Sequence, residues 1–183
     1  MTAWVGVDPG ARATGVVLRQ GNDLLWWTVV ERHTDEGRLG VGPGYVHAVL
    51  AAVRDACAVS HYPARVAVEE VTPPNPHVTY KRRDGSKGYA RPRPADLQAL
   101  ATVYGGVLAD HPWAVIVPPG GNGARPLSLY PYELVTDAER RAKGGMHRAA
   151  GHSATVNHAR SAWDVAGQAT TYARINAARE AQP

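Results

Sequence analysis

Val5-Gly6-Val7-Asp8-Pro9-Gly10, followed by Ala11-Arg12-Ala13-Thr14-Gly15-Val16-Val17-Leu18, decides the architecture. An apolar run from Ala3 stops at Asp8, Pro9-Gly10 supplies a turn, and a second apolar run starts at Thr14 and continues to Arg19, so two short strands are predicted. Gly21-Asn22-Asp23 is a hairpin signal. Leu24, Leu25, Trp26, Trp27, Val29 and Val30 then form a third strand rich in aromatic and β-branched residues. Three strands therefore come first, as a meander, and the first of them ends in a carboxylate.

Outward from this meander, Gly37 to Gly44 reads as a loop. Tyr45 to Ser60 places Val46, Val49, Leu50, Val53 and Cys57 at three-and-four spacing, which predicts an amphipathic helix. Tyr62-Pro63 breaks it, and Arg65 to Val71 reads as a strand containing Glu69 and Glu70. Thr72 to Pro94 holds five prolines and is expected to be irregular, a length of loop that usually carries function or is mobile. Pro94 starts a second helix whose face is marked by Leu97, Leu100, Ala101, Tyr104 and Leu108. Trp113 to Val117 is expected as the fifth strand, 118–123 as a loop, 131–143 as weakly helical, 144–151 as loose chain, and Asn157 to Glu180 as a last helix. No internal repeat or boundary divides the chain, so residues 1–183 are expected to form one α/β domain with a basic insertion at about 72–94.

Composition narrows the function classes. The 183 residues are 44% hydrophobic and 20% charged, which is globular in character, and no stretch approaches the roughly 18 apolar residues of a bilayer span. No membrane association is expected. The opening MTAWVGVD lacks a basic segment followed by an apolar run, so a cytoplasmic location is expected. A single cysteine, Cys57, excludes an intrachain disulfide and a Cys-rich zinc site. Seventeen of the twenty basic residues are Arg, a bias that fits either bidentate phosphate contacts or merely a GC-rich genome. Placement says more: Lys81, Arg82, Arg83, Lys87, Arg91 and Arg93 stand against the single acid Asp84. This segment is the part of the chain expected to meet a polyanion.

Three acids lie where a structural role alone explains them poorly: Asp8 in one apolar strand, Glu69 in another, and Asp164 on an Ala-rich helix. Side chains alternate along a strand, so Asp8 shares its face with Gly6, and Glu69 shares its face with Ala67. Small neighbours leave space around a carboxylate, whereas Glu70 aligns with Val66 and Val68; Glu69 is preferred. Asn157, Arg160, Ser161, Asp164, Gly167, Gln168 and Thr171 make one polar or small stripe on the last helix, either solvated or laid against a sheet. Acids from separate elements can jointly hold Mg²⁺, a hard ion that favours oxygen ligands. Two such ions about 3.5–4 Å apart would activate a water and stabilise the leaving oxygen of a phosphodiester.

VGVDPGARATGVVL, the strand VAVEEV and the segment RSAWDVAGQA resemble the catalytic blocks of the RuvC-type Holliday junction resolvases of the ribonuclease H-like (retroviral integrase) superfamily. The first block is the most specific, and the order of elements follows the family over nearly the whole chain. The resemblance implies a five-stranded mixed sheet in the order 3-2-1-4-5 flanked by helices, with the strands of Asp8 and Glu69 adjacent. It also implies that Asp8, Glu69 and Asp164 are catalytic and metal-binding, with Mg²⁺ as cofactor and Mn²⁺ able to substitute. The family commonly carries a further ligand one turn before the last acid, where this chain has Ser161. His158 lies six positions from Asp164, about 120° around a helix, and would qualify only if the helix began after it; Glu70 is another substitute. Lys143 is the candidate for steadying a phosphate in the transition state.

The function so implied is metal-dependent cleavage of branched DNA, four-way junctions above all, by a C₂ homodimer. The basic segment from Lys81 to Arg93 would grip DNA or be an ordinary solvated loop. A non-catalytic nucleic-acid-binding module of the same fold is a competing reading, and Ser161 makes it thinkable. An actin-like ATPase fragment is a third, opposed by length, since such ATPases close two domains on the nucleotide, and by the absence of a P-loop.

Overall fold

The computed structural model describes residues 2–33, 42–72, 79–81, 87–89, 94–141 and 154–181. The meander forms as the sequence predicts: β1 (Ala3–Asp8), β2 (Ala13–Gln20) and β3 (Asp23–Glu31) pair antiparallel in succession. Helix α1 (Pro43–Val59) crosses over to β4 (Ala64–Glu69), which pairs parallel with β1. Two short strands, β5 (Thr79–Lys81) and β6 (Lys87–Tyr89), precede α2 (Pro94–Asp110) and β7 (Val115–Val117). The main sheet runs β3-β2-β1-β4-β7. Because, among the described residues, β5 and β6 pair only with each other, β7 is the fifth strand of the main sheet in chain order, and the expected 3-2-1-4-5 mixed topology is what the chain adopts. A five-residue helix, α3 (Asp137–Arg141), and the 27-residue α4 (Ala154–Glu180) complete the described elements.

Strand alternation sorts the core into two layers. Val5, Val7, Val16, Leu18, Val66 and Val68 point to one face and pack with Val49 and Val53 of α1 and Val103 and Val107 of α2. Trp4, Ala67, Val115 and Val117 point to the other and meet Val165, Ala166 and Ala169 of α4. Val17 joins Leu127, Tyr130, Leu134 and the Trp163 end of the same helix. Asp8 and Glu69 follow the parity of Trp4 and Ala67, so both acids rise toward α4.

Several boundaries differ from the expectation for local reasons. The segment from Thr72 to Pro94 is not wholly irregular, since Thr79↔Tyr89, Tyr80↔Gly88 and Lys81↔Lys87 pair as an antiparallel ladder. β7 starts at Val115 rather than Trp113, because the Ala114 N–H turns back to the His111 carbonyl. The strand of Glu69 closes two residues before Val71; Glu70 still donates its N–H to the Val117 carbonyl, where β7 ends. Of the stretch 131–143, the described residues 131–141 hold a 3₁₀ turn at Tyr132–Leu134 and α3. Thr136 starts α3 through a capping box, its hydroxyl accepting from the Glu139 N–H while its own N–H reaches the Glu139 carboxylate. The last helix opens at Ala154, three residues before Asn157.

Candidate active site

Two glycines let α4 lie almost on the backbone of the sheet. A Cβ at Gly6 would stand 2.0 Å from the Ala162 carbonyl oxygen, and one at Gly15 would stand 2.1 Å from that of His158. With no side chains in the way, the helix passes directly over the ends of β1 and β2. Register does the rest: Val7 pairs with Val68 in the parallel β1–β4 ladder, so Asp8 and Glu69 emerge side by side at the carboxyl ends of neighbouring strands. Open α/β sheets commonly place ligands at such ends. The turn after Asp8 is tied down from the opposite layer, where the Tyr45 hydroxyl of α1 donates to the Gly10 carbonyl at 3.0 Å and meets the Thr14 hydroxyl at 2.8 Å. Thr14 in turn accepts the Gly10 N–H.

The Glu69 carboxyl lies within hydrogen-bonding reach of Asp8. Burial, the contact with Asp8 and the Asp8 charge push the Glu69 pKa up to about 7, against the lowering effect of the bonds from Asn122 and Ser161. Those bonds are Asn122 Nδ2 to Oε1 at 2.9 Å and Ser161 Oγ to Oε2 at 3.0 Å. Gln168 orients Asn122 by donating to its Oδ1 at 2.6 Å. His158 Nδ1 sits 2.7 Å from Asp8 Oδ2. Burial lowers the His158 pKa, but its bond to Asp8 and the charges of Asp8 and Glu69 outweigh that and raise it.

Asp164 is fully buried on α4. Its Oδ2 accepts from the Gly123 N–H at 2.9 Å and from the Tyr130 hydroxyl at 2.8 Å, while Arg125 Nε pairs with Oδ1 at 3.1 Å. Burial, then the Asp164 charge and hydrogen bond, hold the Tyr130 hydroxyl protonated far above its ordinary range, so it acts as a donor. Gly123 has φ +72 and faces the backbone of α4, where a Cβ would meet the Asn157 carbonyl at 3.2 Å. Only glycine combines that conformation with that approach. The dipeptide Asn122-Gly123 thus joins the two halves of the site, one side chain on Glu69 and one amide on Asp164.

The structure brings Asp8 and Glu69 into contact and links Asp164 to Glu69 only through Asn122-Gly123, with the Asp164 oxygens engaged by Arg125, Tyr130 and Gly123. His158 does not meet the condition that the helix begin after it. It lies inside α4, not ahead of it, and still reaches Asp8, because the helix crosses the strand ends and residues on different sides of it meet acids from different strands. Ser161, one turn before Asp164, binds Glu69 instead of leaving a gap; Glu70 is exposed. Arg125, Tyr130 and Asn122 were not legible as site residues, since they sit in loops and 3₁₀ turns without periodicity. Arg82, Arg83, Arg91, Arg93 and Lys143 lie outside the described residues, and Lys81 and Lys87 are described only as backbone.

The donor set suits a hard divalent cation. Two carboxyl groups in contact, one of them titrating near 7, gain from either a shared proton or a positive ion between them. Asp164 Oδ1 is buried with the Arg125 guanidinium as its charge partner and no well-formed hydrogen bond among the described residues, so it is the oxygen that a cation replacing Arg125 would take. Among the described residues no three His, Cys, Asp or Glu side chains already surround a common point, so Asp164 would have to give up its present partners to join the pair.

No protein-family model matches the chain, and no curated protein does. Among solved structures, the chain is similar to the structure of T. thermophilus RuvC in complex with Holliday junction substrate, at 19% identity and a TM-score of 0.50, over 96% of this chain and 97% of that one. It is also similar to the Thermus thermophilus RuvC structure at 19% identity and a TM-score of 0.47, over the same shares. No described helix is long and apolar enough to cross a membrane. The sheet order and the first of these likenesses together give the fold, which is ribonuclease H-like.

Proposed function

We propose that the chain is a divalent-metal-dependent endonuclease that hydrolyses phosphodiester bonds in branched DNA, with four-way junctions as substrate. The observation that carries this reading is the meeting of Asp8 and Glu69 at the carboxyl ends of adjacent parallel strands, beneath the helix that bears Asp164. Support also comes from the fold shared with a solved resolvase–junction complex. Asp8, Glu69 and Asp164 would hold Mg²⁺ or Mn²⁺, which when bound supplies an activated water and stabilises the leaving oxygen. Asn122 and Ser161 fix the Glu69 carboxylate, and His158 fixes that of Asp8 and holds a proton beside it. Tyr130 and the Gly123 amide set the height of Asp164 over the pair. The basic residues from Lys81 to Arg93, with Lys143, would contact phosphates around this centre.

The engagement of Asp164 by Arg125, Tyr130 and Gly123 favours a second reading, a junction-binding module without chemistry. Purified protein assayed against four-way, forked and linear DNA, with and without Mg²⁺ or Mn²⁺, separates the two. The nuclease reading expects metal-dependent scission of the four-way substrate and an Asp8→Asn variant that binds junctions but does not cut them. Full cleavage by that variant would remove Asp8 from the reaction; binding without scission under every metal condition would leave the module.

A further inference from the structure

Two surface clefts meet at Arg19, on β2 beside α4. One, of about 460 Å³, is bounded by Arg125, Tyr130, Trp163 and Arg19, and its wall of Arg125 and Tyr130 is the same pair that holds Asp164. The other, of about 390 Å³, continues past Gly167 and Thr170 to Arg174. Among the described residues, the lining of the two carries three guanidiniums and no carboxylate. Arg19 is fixed rather than floating: it lies 3.9 Å over the Trp163 ring, and three of its N–H groups go to the Gly21 and Trp163 carbonyls and to Asn22 Oδ1. Of the five donors of a guanidinium, two remain. Arg125 spends only Nε on Asp164, its terminal nitrogens having no partner among the described residues, and Arg174 is exposed.

We propose that these joined clefts are a single nucleic-acid track in which Arg125, Arg19 and Arg174 take successive phosphates of a strand leading away from the acidic centre; this rests on the nuclease reading above. Three guanidiniums against one buried carboxylate, Asp164 behind Arg125, leave a positive surplus that attracts a polyanion and pairs with its phosphates bidentately. The aromatic rings along the track are closed to bases. Trp163 is covered by Arg19, and Trp4 is buried with its indole N–H bound to Thr170. The track therefore reads backbone and not sequence.

The test is junction and linear-duplex binding by the full chain in chelator, followed by fluorescence anisotropy between about 50 and 200 mM salt. Arg174→Ala, at an exposed position, is expected to weaken binding several-fold on both DNAs and to reduce the salt slope by about 1, with Arg174→Lys restoring the slope. Arg19→Ala should act alike. Gly167→Ala should also lower affinity, because its Cβ would stand 2.4 Å from an Arg19 terminal nitrogen and push that flexible end aside. A wild-type chain that binds and cuts junctions while the Arg174 and Arg19 variants keep its slope overturns the track and leaves the nuclease reading standing. Slopes that fall as expected without any scission in metal support the track and overturn the nuclease. A wild-type chain that binds no DNA overturns both.

Discussion

Arg160 and Glu139 form an ion pair at the base of α4, both fully enclosed, with Arg160 Nε also donating to the Leu134 carbonyl at 2.7 Å. Burial pushes the Glu139 carboxyl up, and the bonds from Arg160 and Thr136 more than reverse this, bringing it down to about 2. Since the folded value lies below the ordinary 4.5, the stabilisation is complete above about pH 4.5 and is lost as pH falls toward about 2. Urea midpoints between about pH 5 and pH 2 should therefore drop faster in the native chain than in Glu139→Gln. At neutral pH that variant should lose about 3 kcal/mol, because it leaves an unpaired buried guanidinium. Neither partner announces itself in the sequence: Arg160 sits in a stripe that also reads as solvated, and Glu139 in a weak helix. By contrast, the placement of Asp8 and Glu69 was legible, because the period-two rule needs only the two strands and their small neighbours Gly6 and Ala67.

At the scale of elements, the approach of α4 to the sheet depends on bare backbone. Gly6→Ala would drive a methyl into the Ala162 carbonyl and the Ala166 amide, neither of which can swing aside as a side-chain tip can. Overpacking of this kind costs about 3 kcal/mol or more, which for a chain of this length lowers Tm by roughly 6–12 °C. Calorimetry of the variant checks this, and an unchanged melting temperature would mean that the helix rides higher than described. The long elements were legible because their apolar periods are strong. Their ends were not, because they depend on single bonds such as Ala114 to His111 or on a capping box such as Thr136–Glu139. The hairpin of β5 and β6 was hidden by the prolines around it. The contact of His158 with Asp8 was not legible, because a helical wheel treats the helix alone and does not show where the helix crosses the strand ends.

For the whole molecule, the sheet order followed from the family likeness carried by the first motif, and the chain adopts it. A junction has two strands to cut related by a two-fold axis, so the proposed activity requires two centres in one particle. Light scattering at micromolar concentration should give twice the 19.6 kDa of one chain, and a monomer that cuts both strands in a single encounter would contradict this. Tyr45 has a consequence at the same scale. By clasping the Gly10 carbonyl and the Thr14 hydroxyl from the far layer, it makes the segment after Asp8 a rivet through the sheet. For the proposed nuclease, the acid it follows would thereby be seated before any ion or strand arrives, with the entropy of ordering that corner spent once, in folding, and not again at each turnover.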